Sequence, residues 1–419
     1  MNLFPSIFRK SLLAIALAMV PMGVSAQFAY GEPRGIYVVK LPGKSAGETQ
    51  KRTYLGMPLM SDTRFAGLVE TVNGDLLSLQ GISSHQDIQD ATRPSFVHVM
   101  DGAGRGFITD IVEFRQNDIR CAVNLAPWMA AGTVVRIRPH PNVVQLFGAN
   151  NRFALAAGSS AELADNIVAW DAAAQQEKVY YYHSTRQRWE EKDVNANAGA
   201  AVLRFPYGIY IIRRSTGNLR MTLSGEISGA PILLPVRTGV NVFSLPINLS
   251  SSLSNLIPAT GDFPAIAGVN ATQADLVTLE EPYSGLQRGP FYLSSRPGST
   301  GWREVGDNSG NDISAPLDYL STLIIRRSGP AGYVRVEGSL DPGPGFSPPA
   351  DPDAGETALT GELPYRPLPG SPSYKIEVST DLQNWSDYAD PVLENNVAKF
   401  QLPGGQGRAF YRLRITLDF

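Results

Sequence analysis

The sequence predicts an all-β protein: several short-stranded antiparallel sandwich- or barrel-like domains, an internal duplication, and a small β-sandwich-like module at the C-terminal end. Three observations predict it. Forty glycines and 31 prolines punctuate the 419 residues. The segments between them are short and rich in Val, Ile, Thr and Tyr, which is strand composition bounded by turn formers. Sustained helical periodicity is scarce, with residues 159–164 suited to one serine-capped turn. Finally, part of the chain is written twice. Ile211-Ile212-Arg213-Arg214-Ser215 returns as Ile324-Ile325-Arg326-Arg327-Ser328, with Trp189 and Trp302 each 22 residues upstream. Ala164-Asp165 leads to Tyr182 as Ala274-Asp275 leads to Tyr292. With Gly225 and Gly338, each 11 residues after the second arginine, five landmarks in register point to duplication of a folding unit.

Residues 1–26 read as a processing signal. Arg9 and Lys10 form a basic start, residues 12–20 a short apolar run, and Val24-Ser25-Ala26 a small-residue cleavage site. Cleavage leaves Gln27 first and takes the formal charge from −3 to −5, because only Arg9 and Lys10 are lost. No later apolar run is long enough for a membrane-spanning helix. Mild acidity argues against nucleic acid as a partner. Cys121 is the only cysteine, which excludes an internal disulfide and a cysteine-rich zinc site.

Residues 27–150 are expected to form an N-terminal β domain. Residues 35–41 (GIYVVKL) make one strand. Residues 66–79 carry Asn73-Gly74 between apolar flanks, the signature of a tight hairpin with positive φ. Residues 106–123 suggest a second hairpin, and residues 133–138 a strand stopped by Pro139. The first repeat copy spans 151–230. Connecting strands and the second copy span 231–340, with three extra residues expected near 296–300. In this reading Trp189 superposes on Trp302 and Arg214 on Arg327. Residues 341–361 are a Pro/Gly-rich linker. Residues 362–419 form a C-terminal β module, near the lower size limit for its own core, and separable at the linker.

The duplicated pattern of aromatic strand, tryptophan and I-I-R-R strand resembles an uncharacterised family of secreted verrucomicrobial-type β proteins. So does the opening stretch, from GIYVVKLP through YLGMPLMSDTRFAGLVETVNGDLLSLQG to VVRIRPH. The resemblance covers about residues 35–340, and its motifs are structural rather than catalytic. Separately, YKIEVSTDLQNWSDY with AFYRLRI looks like a C-terminal module common in secreted proteins of the same bacteria. Both resemblances imply a bacterial, exported protein, and neither transfers a functional residue.

Few constellations invite chemistry. Gly43-Lys44-Ser45-Ala46-Gly47 matches G-x-S-x-G, but a nucleophile elbow needs a strand before it and a helix after it. Here the following residues are polar and soon broken by Gly56. Gly102-Ala103-Gly104-Arg105-Gly106 precedes a strand, so it reads as a turn and not as a dinucleotide fingerprint. His85, His98, His140 and His183 lack metal-site spacing and read as core or surface residues. Asp351, Asp353 and Glu356 space oxygen ligands as in an incomplete calcium loop. Tyr180, Tyr182, Trp189, Tyr292 and Trp302 offer either a stacking platform for sugar rings or a paired core. The alternating residues 411–419, ending in Phe, resemble the closing strand of an outer-membrane barrel, but short strands and frequent prolines oppose that reading.

The expectation is a secreted or cell-surface, non-enzymatic β protein with a structural or adhesive role and no cofactor. Its expected partners are cell-surface polysaccharide or other envelope proteins. A carbohydrate-binding protein is the alternative, and a glycoside hydrolase a more distant one. Exposure of Trp189 and Trp302 separates the first two.

Overall fold

The computed structural model describes residues 27–30, 34–56, 59–82, 88–89, 92–115, 118–226, 231–244, 251–253, 256, 267–280, 287–297, 299–307, 312–313, 316–317, 322–336, 359–364, 373–379, 386–394, 397–402 and 409–417. The protein is all-β, with 29 strands and one short helix among these residues. No helix among them is long and apolar enough to cross a membrane.

Strands β1 (Gln27–Tyr30), β2 (Arg34–Leu41) and β3 (Lys51–Leu55) precede a closed barrel. The barrel comprises β4 (Phe65–Asn73), β5 (Leu76–Leu79), β6 (Ser95–Val99), β7 (Ile108–Phe114), β8 (Ile119–Cys121) and β9 (Val134–Pro139), paired in the circular order β4-β5-β8-β7-β6-β9. Alternation makes the closure possible. Val97, Val99, Val135 and Ile137 point inward to a core with Val69, Leu77 and Ile119, while Phe96 and Ile108 point outward to a different core. The β4–β5 hairpin turns one residue later than Asn73-Gly74 implies. Asn73 pairs with Leu76, so the loop is Gly74-Asp75, with φ +63° at Gly74 and no positive φ at Asp75. That places the positive φ only at the first central position, as a II′ turn requires.

Helix α1 (Val143–Phe147) follows, capped by Asn142 and Gln145 in a reciprocal capping box. Next come β10 (Asn166–Asp171), β11 (Gln176–His183), β12 (Arg188–Glu191), β13 (Ile209–Arg213) and β14 (Leu219–Glu226). They do not close on themselves. The sheet order is β12-β11-β10-β13-β3, and β14 pairs with β2 over eight residue pairs. Residues 34–55 thus belong with residues 166–226, and the barrel enters the chain between β3 and β10. The expected N-terminal domain of residues 27–150 is cut by this pairing. The physical reason is burial: Val39, Leu41 and Leu55 share one core with Ile167, Tyr180, Trp189, Ile211 and Met221. These strands form the first unit.

The second unit contains β15 (Ile232–Val236), β16 (Gly239–Ser244), β17 (Ser251–Ser252), β18 (Leu276–Glu280), β19 (Gln287–Arg296), β20 (Ser299–Glu304), β21 (Pro316–Leu317), β22 (Thr322–Arg327) and β23 (Gly332–Val336). Its sheet order is β20-β19-β18-β22-β16, with β15 paired to β23 and β17 to β21. Strand for strand, this is the order of the first unit, with β16 in the place of β3 and β15 in the place of β2. The five-stranded sheets of the two units face each other through Tyr54, Val168, Tyr210, Ile212 and Val242.

Residue matching corrects the expected register. Ile211 lies opposite Ile167, and Ile325 lies opposite Val277. All four are core residues, so Ile211 matches Ile325 and Arg213, not Arg214, matches Arg327. The repeated pentapeptide is offset by one position. In a strand one residue changes the face, and an Arg-Arg doublet cannot say which arginine turns inward. Trp189 does match Trp302, facing Tyr182 and Leu293 respectively. Tyr182 therefore corresponds to Leu293, and Tyr292 to Tyr181. The corrected register makes the extra residues four, one of them between Trp302 and Ile325, and the three before the tryptophan divide. One enters at the β18–β19 irregularity beyond Val277, where Gly289 has φ +95°. The other two lengthen the β19–β20 hairpin, since seven positions separate Tyr182 from Trp189 and nine separate Leu293 from Trp302.

The last strands are β24 (Leu359–Pro364), β25 (Ser373–Ser379), β26 (Ser386–Ala389), β27 (Val392–Glu394), β28 (Val397–Leu402) and β29 (Ala409–Leu417). Two sheets, β24-β28-β27 and β29-β25-β26, cover a core of Ile376, Ala398, Phe400 and Tyr411. Strand β29 does more than complete the module. Its free edge pairs with β2 through Ala409–Tyr411 and with β1 through Arg414–Leu417. The module expected to end at the linker shares a sheet with the first unit.

Candidate functional site

Two kinds of place stand out among the buried polar groups. The first kind occurs once in each unit. Asp165 and Arg213 form an ion pair with side chains 0% and 4% exposed. The Asp165 Oδ2 atom accepts from Arg213 Nε at 2.7 Å and from the Ala156 amide at 2.9 Å, and Oδ1 accepts from the Arg214 amide at 2.6 Å. Arg213 Nη2 also donates to Gly217 O, in the turn leading to β14. In the second unit Arg327 Nη1 donates to Asp275 Oδ2 at 2.6 Å, and Asp275 Oδ1 accepts from the Ser328 amide and hydroxyl. Arg327 Nε donates to Pro330 O, again in the turn that follows. Each clasp therefore ties the loop before the central strand to the corner where the chain passes from one sheet of the sandwich to the other.

The loops before the central strands contain Gly158 and Gly268. Each pairs with its unit's aromatic strand: Gly158 N donates to Tyr182 O and Gly268 N to Leu293 O. A Cβ on Gly158 would lie 2.7 Å from Leu163 C, and one on Gly268 would lie 2.7 Å from Gln273 C. Only glycine lets these backbones approach so closely. The shared sequence is G-x-x-A-x-x-A-D, at residues 158–165 and 268–275. The Ala-Asp pair carries a visible repeat signal, but the spacing alone does not reveal the clasp.

The second kind of place is the seam where the barrel meets both units. His140 is fully buried. Its Nδ1 accepts from the Phe205 amide at 3.1 Å, and its Nε2 lies 3.0 Å from Asp110 Oδ1. The amide fixes Nδ1 as the acceptor, so Nε2 carries the proton and donates to Asp110. Arg204 bonds the other Asp110 oxygen. Burial works to raise the Asp110 carboxyl, but the hydrogen bond from His140, with the charges of Arg204 and Arg237, outweighs it and holds the group below its ordinary value. Nearby, Arg138 Nη1 donates to Glu226 Oε2 at 2.7 Å and to Ser61 O, while the Thr63 amide and hydroxyl donate to Glu226. Burial raises the Glu226 carboxyl, and the Arg138 charge and Thr63 donors bring it below the ordinary value.

An Asp–His pair invites comparison with nucleophilic catalysis, where the outer imidazole nitrogen takes a proton. In His140 that nitrogen already accepts a backbone amide, so the pair clamps the barrel to residue 205. A cavity of about 80 Å³ adjoins the seam, lined by Met60, Asp62, Phe96, Pro141, Phe205 and Leu223 among others. Small-molecule pockets run roughly 300–1,000 Å³, so this one has room for a few waters.

The residues singled out for sugar stacking do not assemble into a platform. Tyr180, Trp189 and Trp302 are 3%, 1% and 5% exposed. Tyr180 and Trp189 lie in the first unit's core with Tyr182 packed against it, and Trp302 lies in the second unit's core. Tyr182 meets Trp189 edge-on at 5.3 Å, and the Trp189 Nε1–H is taken by Gly148 O at 2.8 Å. Tyr292 is half-buried and stands on the opposite strand face from its neighbours Phe291 and Leu293. Tyr180, Trp189 and Trp302, closed in this way, present no face to a pyranose. Asp351, Asp353 and Glu356 lie outside the described residues. Among the described residues no group of three or more His, Cys, Asp or Glu is arranged to hold a metal ion. Ser45 sits in the β2–β3 loop, its amide bound to Glu48 Oε2, and a strand, not a helix, follows it.

Fold and seam together define an all-β scaffold of two like-ordered sandwich units, an inserted barrel and an appended module. Comparison with known proteins finds no matching family model, no matching curated protein and no matching solved structure.

Proposed function

We propose that this chain is an exported, non-catalytic surface protein with a structural or adhesive role, whose two sandwich units arose by duplication. The carrying observation is the fate of its polar and aromatic side chains. The residues that match between units, Asp165–Arg213 with Asp275–Arg327 and Trp189 with Trp302, bind the chain to itself. Buried ion pairs of this kind hold a register instead of meeting a substrate. The N-terminal segment, with its basic start and small-residue site, supports export.

The test has two parts. Terminal sequencing of the protein recovered outside the cytoplasm should begin at Gln27. The purified chain, presented to isolated cell envelopes and to a glycan array, should bind envelopes. Saturable capture by one glycan class would replace the structural reading with the carbohydrate-binding alternative. Retention of the whole chain inside the cell would end the proposal.

A further inference from the structure

Strand β29 is a shared strand. One edge pairs with β25 over seven residue pairs within the module, and the other pairs with β2 and β1 at the front of the chain. The module has a core of its own, built from Ile376, Ala398, Phe400 and Tyr411 with Tyr374, Val378, Tyr388 and Ala389 against it. The described pairing to the rest of the protein is a backbone ladder of three residue pairs with β2 and four with β1. Between Val336 and Leu359 the chain runs through 22 residues that include Asp341-Pro-Gly-Pro-Gly and Ser347-Pro-Pro.

These facts describe a strand-addition joint. The acceptor is an open sheet edge that reads backbone, and the donor is a preformed edge on a small module with its own core. Separated, both edges would be unpaired templates for another strand. A linker of 22 residues reaches at most about 75 Å when extended. A tether of that reach holds donor and acceptor at an effective concentration on the order of millimolar. Pairing within one chain therefore wins in dilute solution. It loses that advantage where chains are packed to comparable density.

We propose that the β29 edge is an intermolecular joint, whose occupant in trans is the β1–β2 edge of a second copy of this chain. Reciprocal exchange closes a dimer, and one-way exchange builds a head-to-tail chain. The inference depends on strand pairing alone, so it stands or falls apart from export and from any surface role.

Two single variants test it in the full mature chain. Ile36 and Ala409 are register partners, so Ile36→Cys and Ala409→Cys chains are mixed, unfolded, refolded together and treated with a short bis-maleimide, which adds one thiol at each end. Cys121 does not compete, because it is buried and burial pushes its thiol up to about 12. The expected result is a mixed cross-linked dimer, above the level given by Ile36→Cys alone. Its fraction should rise about tenfold for a tenfold rise in chain concentration while it remains small. The doubly substituted chain should cross-link within itself in dilute solution. The proposal is overturned if the mixture never exceeds the single-variant control while the double variant links internally. It is equally overturned if the double variant shows no link at all. Light scattering on the unsubstituted chain, refolded over the same concentrations, provides a readout without substitutions, and a monomer mass throughout would also sink it.

Discussion

The two sandwich units share a strand order and differ at their edges. In the first, the β2 edge receives β29 from the C-terminal module. In the second, β15 occupies the place of β2, and there the Leu233 amide donates to Gly106 O of the barrel. Leu233 and Tyr333 then join the barrel's own core, where Phe107 stacks on Trp128 at 4.6 Å. One sandwich thus uses two different neighbours to cover the same exposed edge. Sheet edges left open invite unwanted pairing, and the barrel and the module each solve that problem for one unit. The differences between the units are therefore concentrated where the added parts attach, and the likenesses where each sandwich holds itself.

The sharpest way to break this comparison is to remove one cover. Truncation after Val336 takes β29 from β2 and leaves β15 with its barrel contact. We expect hydrogen exchange to accelerate by orders of magnitude in β1, β2 and β14 while β15 and β23 stay protected, as a local loss of pairing requires. Unchanged protection in β2 would show that the β29 ladder contributes nothing to the first unit.

The next effect tests the shared cores. Trp302→Ala should cost about 3–5 kcal/mol, the usual range for emptying a buried tryptophan site. Trp189→Ala should exceed it. Besides its volume, Trp189 donates a hydrogen bond to Gly148 O, and losing one such bond costs about 0.5–1.5 kcal/mol more. Urea unfolding of both variants beside the parent checks the order. Equal midpoints with the parent would return the tryptophans to the surface and to ligand binding.

Clasps come next. Asp165→Ala and Asp275→Ala each strand a buried guanidinium, a loss of about 3–5 kcal/mol when one partner of a buried pair is removed. Replacing both members of a clasp by apolar residues, Asp275→Leu with Arg327→Met, should recover much of that loss, since the desolvation penalty leaves with the charges. A double variant no more stable than the single one would mean that the backbone bonds from Ser328, and not the ion pair, carry the corner.

How much of this was legible beforehand follows from the physics of each signal. The all-β class was readable because Gly and Pro punctuation and β-branched segments act locally. Trp189 and Trp302 stood out because a large side chain in a repeated setting is rare. The clasp was half legible: Ala164-Asp165 and Ala274-Asp275 matched, but the doublet at 213–214 and 326–327 concealed which arginine turns inward. The insertion of the barrel was not legible. Strand pairing between Leu41 and Leu219 is a long-range choice made by shared burial, and no local pattern reports it. The seam at Asp110, His140 and Phe205 left no motif either, since its residues come from segments with unrelated local roles.

A pH titration compares the barrel with the units. His98 lies fully buried on the barrel's outer face, and neither ring nitrogen finds a hydrogen-bond partner among the described residues. Burial, with the charges of Arg138 and Arg136, pushes its imidazole down to about 3. The unfolded chain takes up that proton near 6.5. Stability is therefore full above about 6.5 and falls as the pH drops toward 3, by about 1.4 kcal/mol per unit, or roughly 2 kcal/mol at pH 5. Asp110 and Glu226, both held below their ordinary values, add losses only at lower pH. His98→Leu should flatten the slope between pH 6.5 and 5. A slope that survives this change would assign the acid sensitivity elsewhere.

The smallest expected effect is the most exacting about register. Arg326 corresponds to Ile212, and Arg214 follows the inward Arg213. Arg326 is exposed at the end of β22, so Arg326→Ala should change stability by no more than about 0.5 kcal/mol, as surface substitutions do. Arg214 is half-buried and its Nη1 donates to Ala164 O and Asn166 Oδ1, so Arg214→Ala should cost about 1–2 kcal/mol. Were the pentapeptides aligned as written, Arg214 and Arg327 would be equivalent, and their alanine variants would lose alike. The offset of one residue instead puts Arg213 and Arg327 at the high end and separates Arg214 from both. Unfolding midpoints of the four single variants distinguish the two alignments, because a clasp arginine and its neighbour then differ by several kcal/mol in the second unit and by less in the first. Matching losses for Arg214→Ala and Arg327→Ala would restore the sequence register and undo the correspondence drawn from the pairing of Ile211 with Ile167.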